Sequence, residues 1–150
     1  MSYQVIWESK RIILRFFGCL TRNDLFQSVS TIHSDERFDS IRHAIADLLG
    51  VTGFSVTGDD MKERSAIDHA ASRSNPYIRF AVIAGDSEII DLVSQYTLSP
   101  FNACQFGVFS TRAEARAWLG LANSTHLSIF HPDGDRRARL SGMLRLPDIQ

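Results

Sequence analysis

The sequence predicts an α/β fold: a mixed, mostly parallel sheet of about five strands with helices packed around it, followed by a C-terminal arm. Three observations predict it. The chain opens with two strand-like segments joined by a short polar turn, the pattern of an antiparallel hairpin. Strand-like and helix-like segments then alternate with short connections, which calls for right-handed crossovers and parallel pairing. Finally, 44% of the residues are hydrophobic and the net charge is −1, an ordinary globular balance with no internal repeat or low-complexity tract.

Taken in order, "YQVIWE" and "RIILRFFG" are β-branched and aromatic, and the polar "ESKR" separates them. "TRNDLFQSVSTIH" reads as a helix. Leu25, Phe26, Val29 and Ile32 recur at helical spacing, and Thr21 with Asp24 has the spacing of a capping box. "SIRHAIADLLGV" is apolar enough for a strand covered on both faces. "DDMKERSAIDHAASRS" reads as a helix with Ala66, Ala70 and Ala71 facing inward, ending before Pro76. "YIRFAVIAG" is the clearest buried strand. "DSEIIDLVSQYT" is a helix capped by Asp86, with Ile89, Val93 and Tyr96 along one stripe and Pro100 closing it. "ACQFGVF" is expected as a last core strand and "STRAEARAWLGLA" as a last helix, with a capping box from Thr111 to Glu114.

Two units are expected: residues 1–123 as the α/β domain and residues 124–150 as an arm or added hairpin. In the arm, "HLSIF" is strand-like, "HPDGD" is a turn, and "RARLSGMLRL" alternates basic with apolar residues. Such an arm would cover a sheet edge or contact a second subunit, so a homodimer is among the expected partners.

Composition narrows the function classes. A chain of 150 residues buries roughly 70% of its unfolded surface and needs no metal or disulfide staple. The near-zero net charge supplies no global field for nucleic acid, and the apolar runs are too short to cross a bilayer. "MSYQVIWESK" lacks the order of a signal peptide. Cys19 and Cys104 are expected to be buried, reduced thiols. A cytoplasmic protein is therefore expected, with no cofactor and no metal.

Three stretches carry a family resemblance. "VIWESKRIILRFFGCLTRNDL", "HAIADLLGVTGF" and "FGVFSTRAEARAWL" resemble the opening hairpin, central strand and closing strand–helix of the SpoIIAA-like branch of the STAS superfamily. The resemblance runs from about Tyr3 to Ala122 and omits the arm. It implies a bacterial protein with a role in binding or regulation, and relatives associated with small apolar ligands. Antagonists of that branch carry "DSSG" at the start of the second helix, where the serine is phosphorylated. This chain has "SVTGD" there, with Ser55 and Thr57 near the right place.

The segment "DLLGVTGFSVTGDD" poses the main choice at the site. Thr57 with Asp60 has the spacing of a helix cap, and Asp59 and Asp60 oppose an anion at that helix start, so capping is preferred. A phosphoacceptor at Ser55 or Thr57 is the alternative. The segment also lacks the lysine of a phosphate loop. His126, His131, Asp133 and Asp135 surround a proline–glycine turn and read as solvated rather than metal-binding, and Arg136, Arg137, Arg139 and Arg145 are nearly balanced by acids.

In open parallel sheets ligands bind beyond the carboxyl ends of the strands. That edge should gather Thr52, Ser55 and Thr57, then Gly85, Asp86 and Ser87, then Ser110 and Thr111, with Phe54, Phe101 and Phe109 below. The expected function is a non-enzymatic regulatory or binding domain recognising a protein partner or a small amphipathic ligand there. The alternative is a hydrolase-like enzyme at the same edge, in which His43 or His69 joins Ser55 and Asp47 without a G-x-S-x-G elbow. Converging titratable groups in a cleft would favour the enzyme; an apolar groove or patch would favour the binding module.

Overall fold

A computed structural model describes residues 2–98 and 105–120. Expectations for Phe101, Cys104, Pro100, the tail histidines and arginines, and the arm at 124–150 lie outside the described residues. The elements are β1 (Tyr3–Glu8), β2 (Arg11–Leu20), α1 (Arg22–His33), a 3-10 turn (Glu36–Ser40), β3 (His43–Phe54), α2 (Gly58–Ala71), β4 (Arg79–Ile83), α3 (Ser87–Thr97), β5 (Gln105–Phe109) and α4 (Arg112–Trp118). They build a sheet of five strands in sequence order, antiparallel between β1 and β2 and parallel thereafter.

Lys10 closes the hairpin in the left-handed region at φ 59°, and its carbonyl accepts the Arg42 N–H at 2.8 Å, tying the turn to the entry of β3. Strand alternation divides the side chains between two faces. One face presents Tyr3, Leu14, Phe16, Ala46, Leu48 and Val82 to the apolar sides of α1, α2 and α3 and forms the core. The opposite face carries Ile13, Arg15, Ile45, Asp47, Ala81 and Ile83, and α4 packs there, with Trp118 5.3 Å from Phe109.

The β2–β3 pairing slips twice. Arg15 pairs with Asp47 but Phe17 with Gly50, and Gly18 pairs with Val51 but Cys19 with Gly53. Each slip inserts one extra residue into β3, which is a β-bulge. Gly50 serves the first, since a Cβ there would meet the Phe16 carbonyl at 3.0 Å and Phe17 Cβ at 3.1 Å.

The caps follow the sequence closely. Thr21 and Asp24 form a full capping box, and Asp86 accepts the N–H groups of Glu88 and Ile89. Four expectations need correction. The inward residues of α2 are Met61, Arg64 and Ser65, while Ala70 is exposed and Ala66 and Ala71 are only half-buried; the helix turns a charged side chain inward because Asp68 pairs with it. β5 is not a core strand: among the described strands it lies at the sheet edge, with Gln105 and Val108 exposed. The Thr111 cap holds, but Glu114 reaches past Thr111 to the N–H and hydroxyl of Ser110. Cys19 is a free thiol, as expected, but it is exposed rather than buried, near the end of β2.

Candidate functional site at the carboxyl edge of the sheet

The expected site residues fall into two groups, because β3 outruns β4. Asp47 pairs with Ile83 and Ile83 with Phe109, so Gly85, Ser87, Ser110 and Thr111 all follow strand ends at one level. Ser55 and Thr57 follow Phe54, which pairs with Leu20 roughly 20 Å further along the β2–β3 ribbon. Thr52 lies exposed on that extension.

In the extended group, Thr57 Oγ1 accepts the Asp60 N–H at 3.1 Å and Asp60 Oδ2 accepts the Thr57 N–H at 2.9 Å, a complete capping box. Arg22 from α1 then bonds Asp60 Oδ1 and reaches Glu63 at 3.1 Å, while its guanidinium stacks 4.4 Å above the Phe26 ring. The Thr57 backbone, with the Arg22 charge, holds the Asp60 carboxyl below its ordinary value. Ser55 is exposed, and its backbone N–H donates to the Leu20 carbonyl at 3.0 Å.

The second group surrounds a buried acid. Asp47, with a side chain only 3% exposed, accepts from Arg112 Nε at 2.6 Å and from the Leu49 N–H at 3.0 Å, and Arg15 Nε stands 3.6 Å away. One carboxylate thereby ties together β2, the bulge of β3 and the start of α4. Gly85 lies beside this cluster, where a Cβ would stand 3.7 Å from Leu49 Cδ2. Ser110 donates to Glu114 and Thr111 caps α4, so both hydroxyls are engaged in building that helix start. Asp86 serves α3 in the same way, with Ser87 exposed beside it.

On the same face, Phe17 is 45% exposed and Leu49 is 41% exposed. Period-two alternation puts both beside the Arg15–Asp47 pair, on adjacent strands. The arrangement is an apolar step next to a buried carboxylate on which two guanidinium groups converge. The sequence signal for it was weak, since Phe17 and Leu49 read as ordinary members of apolar strands.

The hydrolase-like trio is not brought together. His43 opens β3 and Ser55 follows its far end, while both Asp47 oxygens already serve Arg112 and Leu49. Burial, with the charges of Arg79 and Arg11, pushes the His43 imidazole below its ordinary value. His69 is exposed near the end of α2. Among the described residues no group of histidine, cysteine and acidic side chains could hold a metal, and no helix is long and apolar enough to cross a membrane.

No model of a known protein family matches the sequence, and no curated protein matches it. Solved structures do. The anti-sigma factor antagonist SpoIIAA in its unphosphorylated form aligns with a TM-score of 0.52 at 11% identity, over 78% of this chain and 96% of that one. The Bacillus cell fate determinant SpoIIAA in its phosphorylated form aligns with a TM-score of 0.51 at 14% identity, over 78% and 98%. An uncharacterized protein with a SpoIIAA-like fold from Shewanella loihica PV-4 gives 0.46 at 18% identity, over 78% and 91%. The described chain has a SpoIIAA-like fold.

Proposed function

We propose that the chain is a non-catalytic regulatory domain that binds a protein partner through the carboxyl-edge face of its sheet. The observation that carries this reading is the exposed pair Phe17 and Leu49, beside the buried Asp47 carboxylate that Arg112 bonds and Arg15 approaches. Exposed large apolar side chains with arginines close by are the composition of protein-binding surfaces. The fold is consistent with it, since SpoIIAA is an anti-sigma factor antagonist. Within this reading, Ser55 is the hydroxyl that phosphate could modify without dismantling a cap, because it is exposed while Thr57 is engaged, and it would charge the far end of the β2–β3 extension rather than the apolar pair itself.

Site-specific photocrosslinking in living cells tests the proposal. A photoreactive residue at Leu49 should give a discrete adduct that is lost on Phe17→Glu, and the same probe at the exposed Ile90 of α3 should not. An adduct of twice the chain mass would identify a second copy as the partner. No adduct at Leu49, or equal adducts at both positions, would refute the assignment.

A further inference from the structure

At the opposite end of the sheet, by the amino ends of the parallel strands, lies a cavity of about 70 Å³. Its walls are mostly apolar, from Ile12, Phe38, Ala44, Ile78 and Phe80. One wall is charged. Arg64 and Asp68 sit one turn apart on α2, with side chains 10% and 15% exposed, and Arg64 Nε donates to Asp68 Oδ2 at 2.9 Å. Tyr96 Oη donates to the same oxygen at 2.8 Å. His33 Nε2 stands 3.3 Å from Asp68 Oδ1, within ion-pair reach but off the line of a hydrogen bond. Burial alone would raise the Asp68 carboxyl; the Arg64 charge, with His33 and Tyr96, brings it below its ordinary value.

The guanidinium is only half used. Its Nη1 and Nη2 groups make no hydrogen bond to any described residue. Arg64 lines both this cavity and a neighbouring one of about 40 Å³, which shares Ala46, Phe80 and Tyr96 with it. No Arg64 nitrogen is a buried donor left without a partner, so the Nη1–Nη2 edge keeps access to solvent, and it is the fork that matches a carboxylate with two parallel bonds. Asp68 occupies the Nε side and is shared with His33 and Tyr96, so it leaves that edge open.

We propose that this cavity is a binding site for a small monocarboxylate with an apolar tail, its head on Arg64 Nη1 and Nη2 and its tail along Ala44, Ile78 and Phe80. By this measure a single water needs about 10–15 Å³, so the space suits a chain of about four to six carbon atoms. The half-buried His33 and Ser72 at the wall leave it open to entry. This site is separate from the carboxyl-edge face, and either assignment stands without the other.

The test is titration of the full chain with hexanoate, hexanol and hexylamine, followed by calorimetry and by the NMR signals of the Arg64 side chain. Saturable hexanoate binding that shifts the Arg64 Nε–H signal, with hexanol and hexylamine at least ten-fold weaker, is the expected result. Ala44→Leu, which fills the cavity, and the charge-neutral pair Arg64→Gln with Asp68→Asn should each weaken hexanoate at least ten-fold. Equal binding of hexanoate and hexanol, an unmoved Arg64 signal, or no saturation by about 10 mM, a Kd that is already weak for so small a ligand, would overturn the proposal. The wild-type titration decides the matter even where a variant does not fold.

Discussion

Replacing Asn75 should loosen one wall of this cavity by a calculable amount. Asn75 is 2% exposed, and its amide donates to the carbonyls of Phe38 and Ile41, both at 2.8 Å. These two bonds pin the 3-10 turn against the segment between α2 and β4. Asn75→Ala deletes both. Neither carbonyl is fully orphaned, because Phe38 O still accepts the Ile41 N–H at 3.3 Å and Ile41 O accepts Arg42 Nη1 at 3.0 Å. The full penalty for a bare buried acceptor therefore does not apply, and the loss is two net bonds at about 1 kcal/mol each. With the small void left behind, the total comes to about 2–3 kcal/mol. For a chain of this size that lowers Tm by roughly 8–12 °C. Asn75→Asp keeps the shape but turns an oxygen toward two carbonyls and buries a charge, so it should cost more than the alanine change near neutral pH. Urea denaturation of the three proteins checks both numbers. An alanine variant within about 0.5 kcal/mol of wild type, or an aspartate variant no worse than alanine, would refute the reasoning.

Other outcomes follow from single contacts. Thr57→Ala removes the acceptor of the Asp60 N–H and should cost about 1 kcal/mol, with Thr57→Ser nearly neutral; equilibrium unfolding reads both. The lowered pKa of His43 means that the unfolded chain binds its proton first as pH falls below the ordinary value of 6.5. Stability contributed by neutral His43 is thus complete above that pH and lost below it, and His43→Gln should flatten that part of the urea-midpoint profile. Cys19 is exposed and free, so the native protein should be alkylated there as readily as after unfolding; protection in the native state would contradict its placement. Gly50→Ala sets a methyl against the Phe16 carbonyl and should cost about 1–3 kcal/mol by thermal melting, and a neutral result would deny the close approach.

Much of the fold was legible because it rests on local rules. The hairpin, the order of strands and helices, and the caps at Thr21, Thr57, Asp86 and Thr111 depend on neighbours within a few residues. The candidate sites depend on distant partners. Asp47 meets Arg112 across the sheet, and nothing local in "AIADLLG" marks that pairing. The Arg64–Asp68 spacing is visible as a helix pair, but an exposed pair has the same spacing. Small alanines therefore seemed the natural inward residues of α2, and the charged side was missed. Asn75 reads only as the residue before the proline that ends the helical segment, and a buried clamp is found there.

The bulges in β3 connect the two ends of the molecule. Leu48 and Val51 both belong to the core, yet they are three residues apart, and strict alternation would send them to opposite faces. The extra residue between Asp47 and Gly50 resolves the conflict: it returns Val51 to the core and leaves Leu49 on the outer face, with its N–H held by Asp47. The exposed apolar step is thus a consequence of the same irregularity that keeps the core continuous. The irregular strand also runs on past β4, so that α2 starts far beyond the level of Ile83. Its 14 residues, about 21 Å of helix, carry the chain back along the ribbon. That return places Asp68 and Ser72 near the amino ends of the strands, against Ala44. A shorter, regular β3 would begin α2 nearer the level of Ile83 and carry the Arg64–Asp68 pair past the cavity it now lines.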